Sequence, residues 1–189
     1  MNIIVGISGA SGTIYGVRML EMLRDYGDVK THVIISNWAK KNLKVETRYS
    51  FDYLKSLADF LYSNQDMGAK VSSGSFLTDG MVIAPCSMKT LGAIANGYAD
   101  SLISRAADVM LKEGRKLVIC PRETPLSAIH LENMLKLARL GVSIAPPMPS
   151  FYNQPETIDD IVNHQTMKVL DQFGIHVRNE KRWSGLKTQ

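Results

Sequence analysis

Two hydrophobic periods take turns along the chain, and each switch marks a predicted element. Ile3, Ile4, Val5 and Ile7 form a β-branched run that passes directly into Ser8, Gly9, Ala10, Ser11 and Gly12. Over 13–26 the period changes, with Ile14, Val17, Leu20, Met22 and Leu23 recurring at helical spacing. This stretch predicts strand, tight turn and helix. The same logic predicts a strand over 31–35 and a helix over 37–45. A further helix is predicted over 52–62, where Tyr53, Leu54, Leu57, Ala58 and Leu61 share helical spacing. Residues 64–79 are polar and rich in Gly and Ser, which predicts an irregular connection with a short strand near Val71.

Strands at 81–84, 116–120 and 142–145 and helices at 91–95, 100–112 and 126–140 continue the alternation. Thr157 and Asp160 have the spacing of a capping box and open a last helix reaching 173. The strands are short and apolar throughout. The fold class is therefore α/β, a parallel sheet covered on both faces through right-handed crossovers. No repeat or linker divides the chain, so one domain over 1–189 is expected. Trp183 stands in a mostly polar tail, from about 175 onward, and is expected to dock on a neighbouring subunit.

Ligands of such sheets bind beyond the carboxyl ends of the strands. That rule gathers residues 8–12, 36–37, 85–90, 121–125 and 146–152 at one crevice. Gly6, Gly9 and Gly12 permit close backbone approach, and the helix that follows offers N–H groups and a positive dipole end to a phosphate. Ser8 stands where a dinucleotide fingerprint has its second glycine, and the second strand ends in Ser36-Asn37 without a carboxylate. A mononucleotide phosphate is favoured over NAD. Ser11, Ser36, Ser87 and Thr90 are hydroxyl donors, Lys89 and Arg122 are cations, and Glu123 is the carboxylate of these segments. Pro121 and Pro125 bracket the Arg122-Glu123 pair and preorganise it. Glu123 can serve as acid or base, or merely pair with Arg122, and spacing alone leaves both open.

Composition narrows the guest. The 22 Lys and Arg against 18 Asp and Glu give a net charge of +4, without the clustered cations and aromatics of a nucleic-acid surface. A basic site for small anions is the better use of that surplus. The two cysteines, Cys86 and Cys120, cannot make a disulfide framework and read as reduced thiols of a cytoplasmic protein. The first strand begins at the N-terminus, so no signal peptide is expected, and no apolar run approaches a membrane span. His32, His130, His164 and His176 lack metal-ligand spacing, so no metal is expected. His130 reads as a packed helix residue.

Several local motifs together resemble one family. These are Gly9-Ala10-Ser11-Gly12, Pro85-Cys86-Ser87 with Thr90, Arg105-Ala106-Ala107-Asp108-Val109, Pro121-Arg122-Glu123-Thr124-Pro125, Ile129-His130-Leu131-Glu132-Asn133-Met134 and Pro149-Ser150-Phe151-Tyr152. They closely resemble the UbiX-type flavin prenyltransferases, formerly called aromatic acid decarboxylase subunits, from Ile3 to about Trp183. The resemblance implies a Rossmann-like (flavodoxin-like) flavoprotein that binds reduced FMN. It implies transfer of a dimethylallyl group from dimethylallyl phosphate to the flavin N5 and C6 atoms, without a metal. The product, prenylated FMN, serves a UbiD-type decarboxylase. A homo-oligomer is implied, a dodecamer with sites at subunit interfaces.

Residue by residue, the resemblance implies FMN contacts at Gly9, Ala10, Ser11, Ser36, Ser87, Met88, Lys89, Thr90 and Arg122. It implies allyl phosphate contacts at Tyr152 and Lys168, with Arg105, Lys112, Glu46 and Glu123 around the reacting groups. Family members often carry Arg where Lys168 stands, and Lys keeps the charge without the bidentate fork. Cations suit an ionising allyl phosphate, and Glu123 or the released phosphate can take the proton that must leave the flavin ring. Two other functions fit a flavin crevice. An FMN-dependent cysteine decarboxylase expects Pro-Ala-Ser-Ala-Asn-Thr where this chain has Pro85-Cys86-Ser87-Met88-Lys89-Thr90, and a histidine near the first helices. A non-enzymatic FMN carrier has no use for Glu123 or Lys168.

Overall fold

The computed structural model describes residues 1–178, 182, 183 and 185. Its strands are β1 (Asn2–Ile7), β2 (Lys30–Ile35), β3 (Phe60–Ser63), β4 (Gly80–Cys86), β5 (Lys116–Pro121) and β6 (Ser143–Ile144). All pair in parallel in the order β3-β2-β1-β4-β5-β6, the order of doubly wound dinucleotide folds. The helices are α1 (Thr13–Tyr26), α2 (Asn37–Glu46), α3 (Phe51–Leu57), α4 (Met88–Ala95), α5 (Leu102–Lys112), α6 (Ala128–Arg139) and α7 (Ile158–Leu170).

Alternation along the strands builds two cores. Ile3, Val5, Ile7, Val33, Ile35, Val82 and Val118 face Val17, Leu20, Leu43, Leu54 and Val169 of α1, α2, α3 and α7. Ile4, Ile34, Met81, Ile83, Leu117 and Ile119 face Leu91, Ile103, Ala106, Met110 and Leu137 of α4, α5 and α6. Successive strand side chains point to opposite faces, so one apolar run feeds both cores. Gly16 lets α1 lie close on the sheet, because a Cβ there would stand 2.8 Å from both Ala84 O and Ile7 Cδ1.

Three predicted elements differ. The helix predicted over 52–62 is α3 followed by β3. Asp59 breaks the pattern, since its carboxylate accepts from Thr31 N at 2.8 Å and Thr31 Oγ1 at 3.0 Å, which ties the next residues beside β2. Hydrophobic spacing cannot register that polar clamp. The segment near Val71 is a 3-10 turn, Lys70–Ser72, and its loop is held by Arg115, whose guanidinium donates to Gly74 O and Phe76 O. The strand predicted over 142–145 shortens to the two residues of β6, at the sheet edge. Among the described residues no helix is long and apolar enough to cross a membrane.

Candidate functional site

β1 and β4 lie side by side at the centre of the sheet, and their chains leave toward opposite faces into α1 and α4. The crevice at this switch point is a cavity of about 400 Å³ lined by Ser8, Gly9, Ser36, Trp38, Ser87, Lys89 and Thr90, with Asn64, Ser101 and Ser104 opposite. Two helix starts open into it. Ser36 caps α2 by accepting from Ala39 N at 3.1 Å, which leaves its hydroxyl proton free to donate outward. Ser87 caps α4 by accepting from Thr90 N at 3.3 Å, and the Ser87 and Thr90 hydroxyls lie 3.1 Å apart, sharing one proton and leaving the other free. Two positive dipole ends and outward hydroxyl protons suit a phosphate.

Ser8 replaces the fingerprint glycine for a structural reason. It is buried, its Oγ donates to Pro85 O at 3.0 Å, and it accepts from Ser87 N at 2.7 Å. The loops after β1 and β4 are thereby stitched together across the switch point. Gly9 is needed because its Cβ position lies 2.7 Å from Trp38 Cβ. Trp38, 66% exposed at the rim, is a lining residue that the sequence reading did not single out. Ser101 and Ser104 were also missed as lining residues, although their spacing is that of the capping box they form on α5.

The start of α1 does not keep its donors for a phosphate. Glu46, at the end of α2, accepts from Gly12 N at 2.8 Å and from Thr13 N and Thr13 Oγ1, both at 3.2 Å. The chain's own carboxylate fills the anion position expected there, and Ala10 and Ser11 stand outside the lining of the crevice. Asn42 Nδ2 donates to Ala10 O at 3.1 Å and holds the loop in place.

Arg122 and Glu123 follow β5 beside the crevice. Arg122 N donates to Cys86 O at 3.0 Å, which fixes the loop against the end of β4, and both side chains are exposed. Glu123 Oε1 accepts from Thr124 N at 3.0 Å. No ion pair joins Arg122 to Glu123 in the described chain, so the alternative of a simple salt bridge is not what forms. Met88 begins α4, half-buried, one residue past its cap. Burial pushes the Cys120 thiol up to about 12 and Cys86 higher still, so neither is a ready nucleophile.

Residues 146–152 were expected at the same crevice, but Tyr152 lines a different cavity. This second space, about 620 Å³, is formed by Tyr152, His164, Met167, Lys168, Arg182 and Trp183. The Tyr152 hydroxyl lies 2.8 Å from His164 Nε2, and Trp183 meets the Tyr152 ring edge to face at 5.7 Å. Burial, with Lys168 and Arg182 nearby, lowers the His164 pKa and favours the neutral ring. Arg182 holds Asp171 through two hydrogen bonds of 2.8 and 3.0 Å. The described part of the tail thus meets Tyr152 and Asp171 of its own chain, on either side of α7. The rest of that expectation, at 179–181, 184 and 186–189, lies outside the described residues.

Arg105 and Lys112 belong to neither cavity. Arg105 Nε donates to Ser72 O at 3.1 Å, and its guanidinium pairs with Asp108 at 2.7 Å. Lys112 ends α5, pairs with Glu113, and stands just before β5, whose first residue is level with the start of β4. A helix of 11 residues separates it from the crevice end by about 15 Å. His130, expected as a packed residue, accepts from Ser127 N at 3.3 Å and completes the α6 capping box.

Residues 1–170 match the Flavoprotein family. The chain is 62% identical over 183 residues to flavin prenyltransferase LpdB of Lactiplantibacillus plantarum, covering 97% of this chain and 98% of that protein. A dodecameric FMN-dependent UbiX-like decarboxylase from Escherichia coli superposes with a TM-score of 0.96 at 57% identity, covering 98% of this chain and 100% of that one. AnUbiX (PadA1), solved in complex with FMN and dimethylallyl pyrophosphate, gives a TM-score of 0.92 at 46% identity, over 98% of each chain. With its Rossmann-type strand order, its hydroxyl-lined switch-point crevice and these relatives, the chain belongs to the UbiX-like flavin prenyltransferases of the Flavoprotein family.

Proposed function

We propose that the protein transfers a dimethylallyl group from dimethylallyl phosphate to reduced FMN, and that the prenylated flavin leaves to serve a UbiD-type decarboxylase. The observation that carries this reading is the presence of two separate anion-suited places in one chain. One is the crevice where α2 and α4 begin. The other holds the ammonium of Lys168 and the hydroxyl of Tyr152 in an open, partly apolar cleft. A reaction between two phosphorylated molecules needs both, whereas a carrier needs only the first.

The crevice residues fit FMN. In this reading Ser36, Ser87 and Thr90 hold its phosphate, Lys89 at the rim and Arg122 beside it supply positive charge, and Gly9 flanks the rest of the molecule, while Ala10, Ser11 and Met88 border the crevice from outside its lining. FMN contributes an electron-rich ring to be alkylated. Lys168 holds the donor phosphate and stabilises the charge that grows on it as the carbon–oxygen bond breaks. Tyr152 positions the same phosphate. Glu123, on the loop that Arg122 N ties to the end of β4, receives the ring proton.

Arg105, Lys112 and the Tyr152 cavity stand apart from the crevice in a single chain. If all act together, they reach it from neighbouring copies, and the protein works as a homo-oligomer of the dodecameric kind. Its reduced, buried thiols fit the cytoplasm.

Two affinities test the two-place reading. Ser87→Ala should weaken FMN binding and leave dimethylallyl phosphate binding intact, and Lys168→Ala should do the reverse. Calorimetry that found both variants weakening the same ligand would collapse the two places into one.

A further inference from the structure

Tyr152 has no helix or strand to hold it. It stands in a turn between β6 and α7, after Pro146, Pro147 and Pro149, and is 53% exposed. Its ring is nevertheless fixed from two sides. Trp183 meets it edge to face at 5.7 Å, and His164 meets it in the same manner at 5.5 Å. The His164 contact also engages the hydroxyl, which lies 2.8 Å from Nε2. His164 is only 5% exposed. It stands on α7 one helical turn before Lys168, so both side chains reach the same cleft.

What the imidazole does there follows from counting protons. Burial, Lys168 and Arg182 favour the neutral ring, while Asp171, itself held by Arg182, opposes them. A neutral ring carries one N–H, so the hydrogen bond to Tyr152 can run in two directions. If Nε2 accepts, the phenol proton turns toward the ring, and the Tyr152 oxygen offers the cleft only lone pairs. Those repel a phosphate. If Nε2 carries the proton, it donates to the phenol oxygen, and the phenol proton is free to turn into the cleft. An anion beside Lys168 favours this second direction, because each hydrogen bond in such a chain polarises the next.

We propose that His164 is a positioning residue of the donor site: its Nε2–H donates to the Tyr152 oxygen and so aims the Tyr152 hydroxyl at the donor phosphate. The proposal rests on the assignment of Lys168 and Tyr152 to that phosphate, and adds the group that sets the direction of the hydroxyl. His164 touches no reacting atom and acts only through Tyr152.

Calorimetric titration of dimethylallyl phosphate into the full-length protein tests it, with oxidised FMN bound so that no transfer follows. Tyr152→Phe should weaken donor binding roughly tenfold or more, the scale of one hydrogen bond to a charged group, and leave FMN affinity unchanged. His164→Phe keeps a flat ring against Tyr152 and removes the nitrogen. It should weaken donor binding nearly as much as Tyr152→Phe, and should add nothing further in the Tyr152→Phe background. His164→Gln loses the ring but keeps an amide N–H at about the place of Nε2, and should recover most of the loss. A residue that merely packed on Tyr152 would give the reverse order, with Phe harmless and Gln harmful. His164→Gln binding the donor no better than His164→Phe, or an undiminished His164→Phe effect in the Tyr152→Phe background, overturns the positioning role. Lys168→Ala separates this from the reading beneath it. If Lys168→Ala weakens the donor, the phosphate assignment stands whatever His164 does, and if neither Lys168→Ala nor Tyr152→Phe weakens it, both fall.

Discussion

Glu46 shows how one carboxylate can change what a motif means. The glycine turn after β1 has the form of a phosphate loop, yet its free N–H groups at Gly12 and Thr13 are taken by Glu46. Nothing local in the sequence reveals this, because the partner stands 34 residues from Gly12 and reaches it only once α2 has packed beside α1. Glu46→Ala should remove charged hydrogen bonds at a helix start and lower stability by about 1.5–3 kcal/mol. An unchanged denaturation midpoint would mean that the contact contributes nothing. Lys168 and Glu123 should fail differently from each other. Lys168→Ala should lose about 1.5–3 kcal/mol of donor binding, read as a raised KM with FMN affinity intact. Glu123→Gln should slow turnover by roughly 10²–10⁴, the scale of a lost general base, with both affinities kept. Full activity in Glu123→Gln would make the released phosphate the proton acceptor.

At the scale of elements, helices were legible but their starts only in part. Ser36, Ser87, Ser101, Ser127 and Thr157 all cap helices, yet the capping box was read only at Thr157, and the helices predicted from 91, 100 and 126 start at Met88, Leu102 and Ala128, just after their serine caps. Ser87→Ala should therefore cost about 1 kcal/mol of stability besides weakening FMN. Strand β3 was not legible, since Leu54, Leu57 and Leu61 satisfy helical spacing across the Asp59 break. That edge strand also carries a pH response. His32 on β2 stacks on Phe60 of β3 at 4.7 Å, its Nδ1 lies 3.1 Å from the Tyr62 hydroxyl, and its Nε2 is buried without a partner. Burial, with the charge of Lys70 next, lowers its pKa from 6.5 to about 4. A base with a depressed folded pKa binds its proton more readily when unfolded, so stability falls as the pH drops from about 6.5 to about 4. The full effect is about 3 kcal/mol. Denaturation midpoints of wild type and His32→Phe over this range check it, because the variant should lose part of the acid sensitivity.

For the whole molecule, the sequence made the parallel sheet and the crevice at its carboxyl ends readable. Tyr152, Lys168, Arg105 and Lys112 were assigned through family motifs, and their spacing along the chain carries no information about distance from the crevice. The fold places Tyr152 and Lys168 on one cavity, ties Arg105 to the 3-10 turn at Ser72, and sets Lys112 at the opposite end of the sheet. If these places act together, other copies of the chain bring them to the crevice, a relation that spacing along one chain does not encode. The proposed prenyl transfer can be tested directly. The purified protein is incubated without oxygen with reduced FMN and dimethylallyl phosphate, and the released flavin is weighed by mass spectrometry. The expected product is a flavin heavier by one five-carbon prenyl unit, formed without added metal and abolished when dimethylallyl phosphate is omitted. Recovery of unmodified FMN from protein shown to bind both ligands would contradict it.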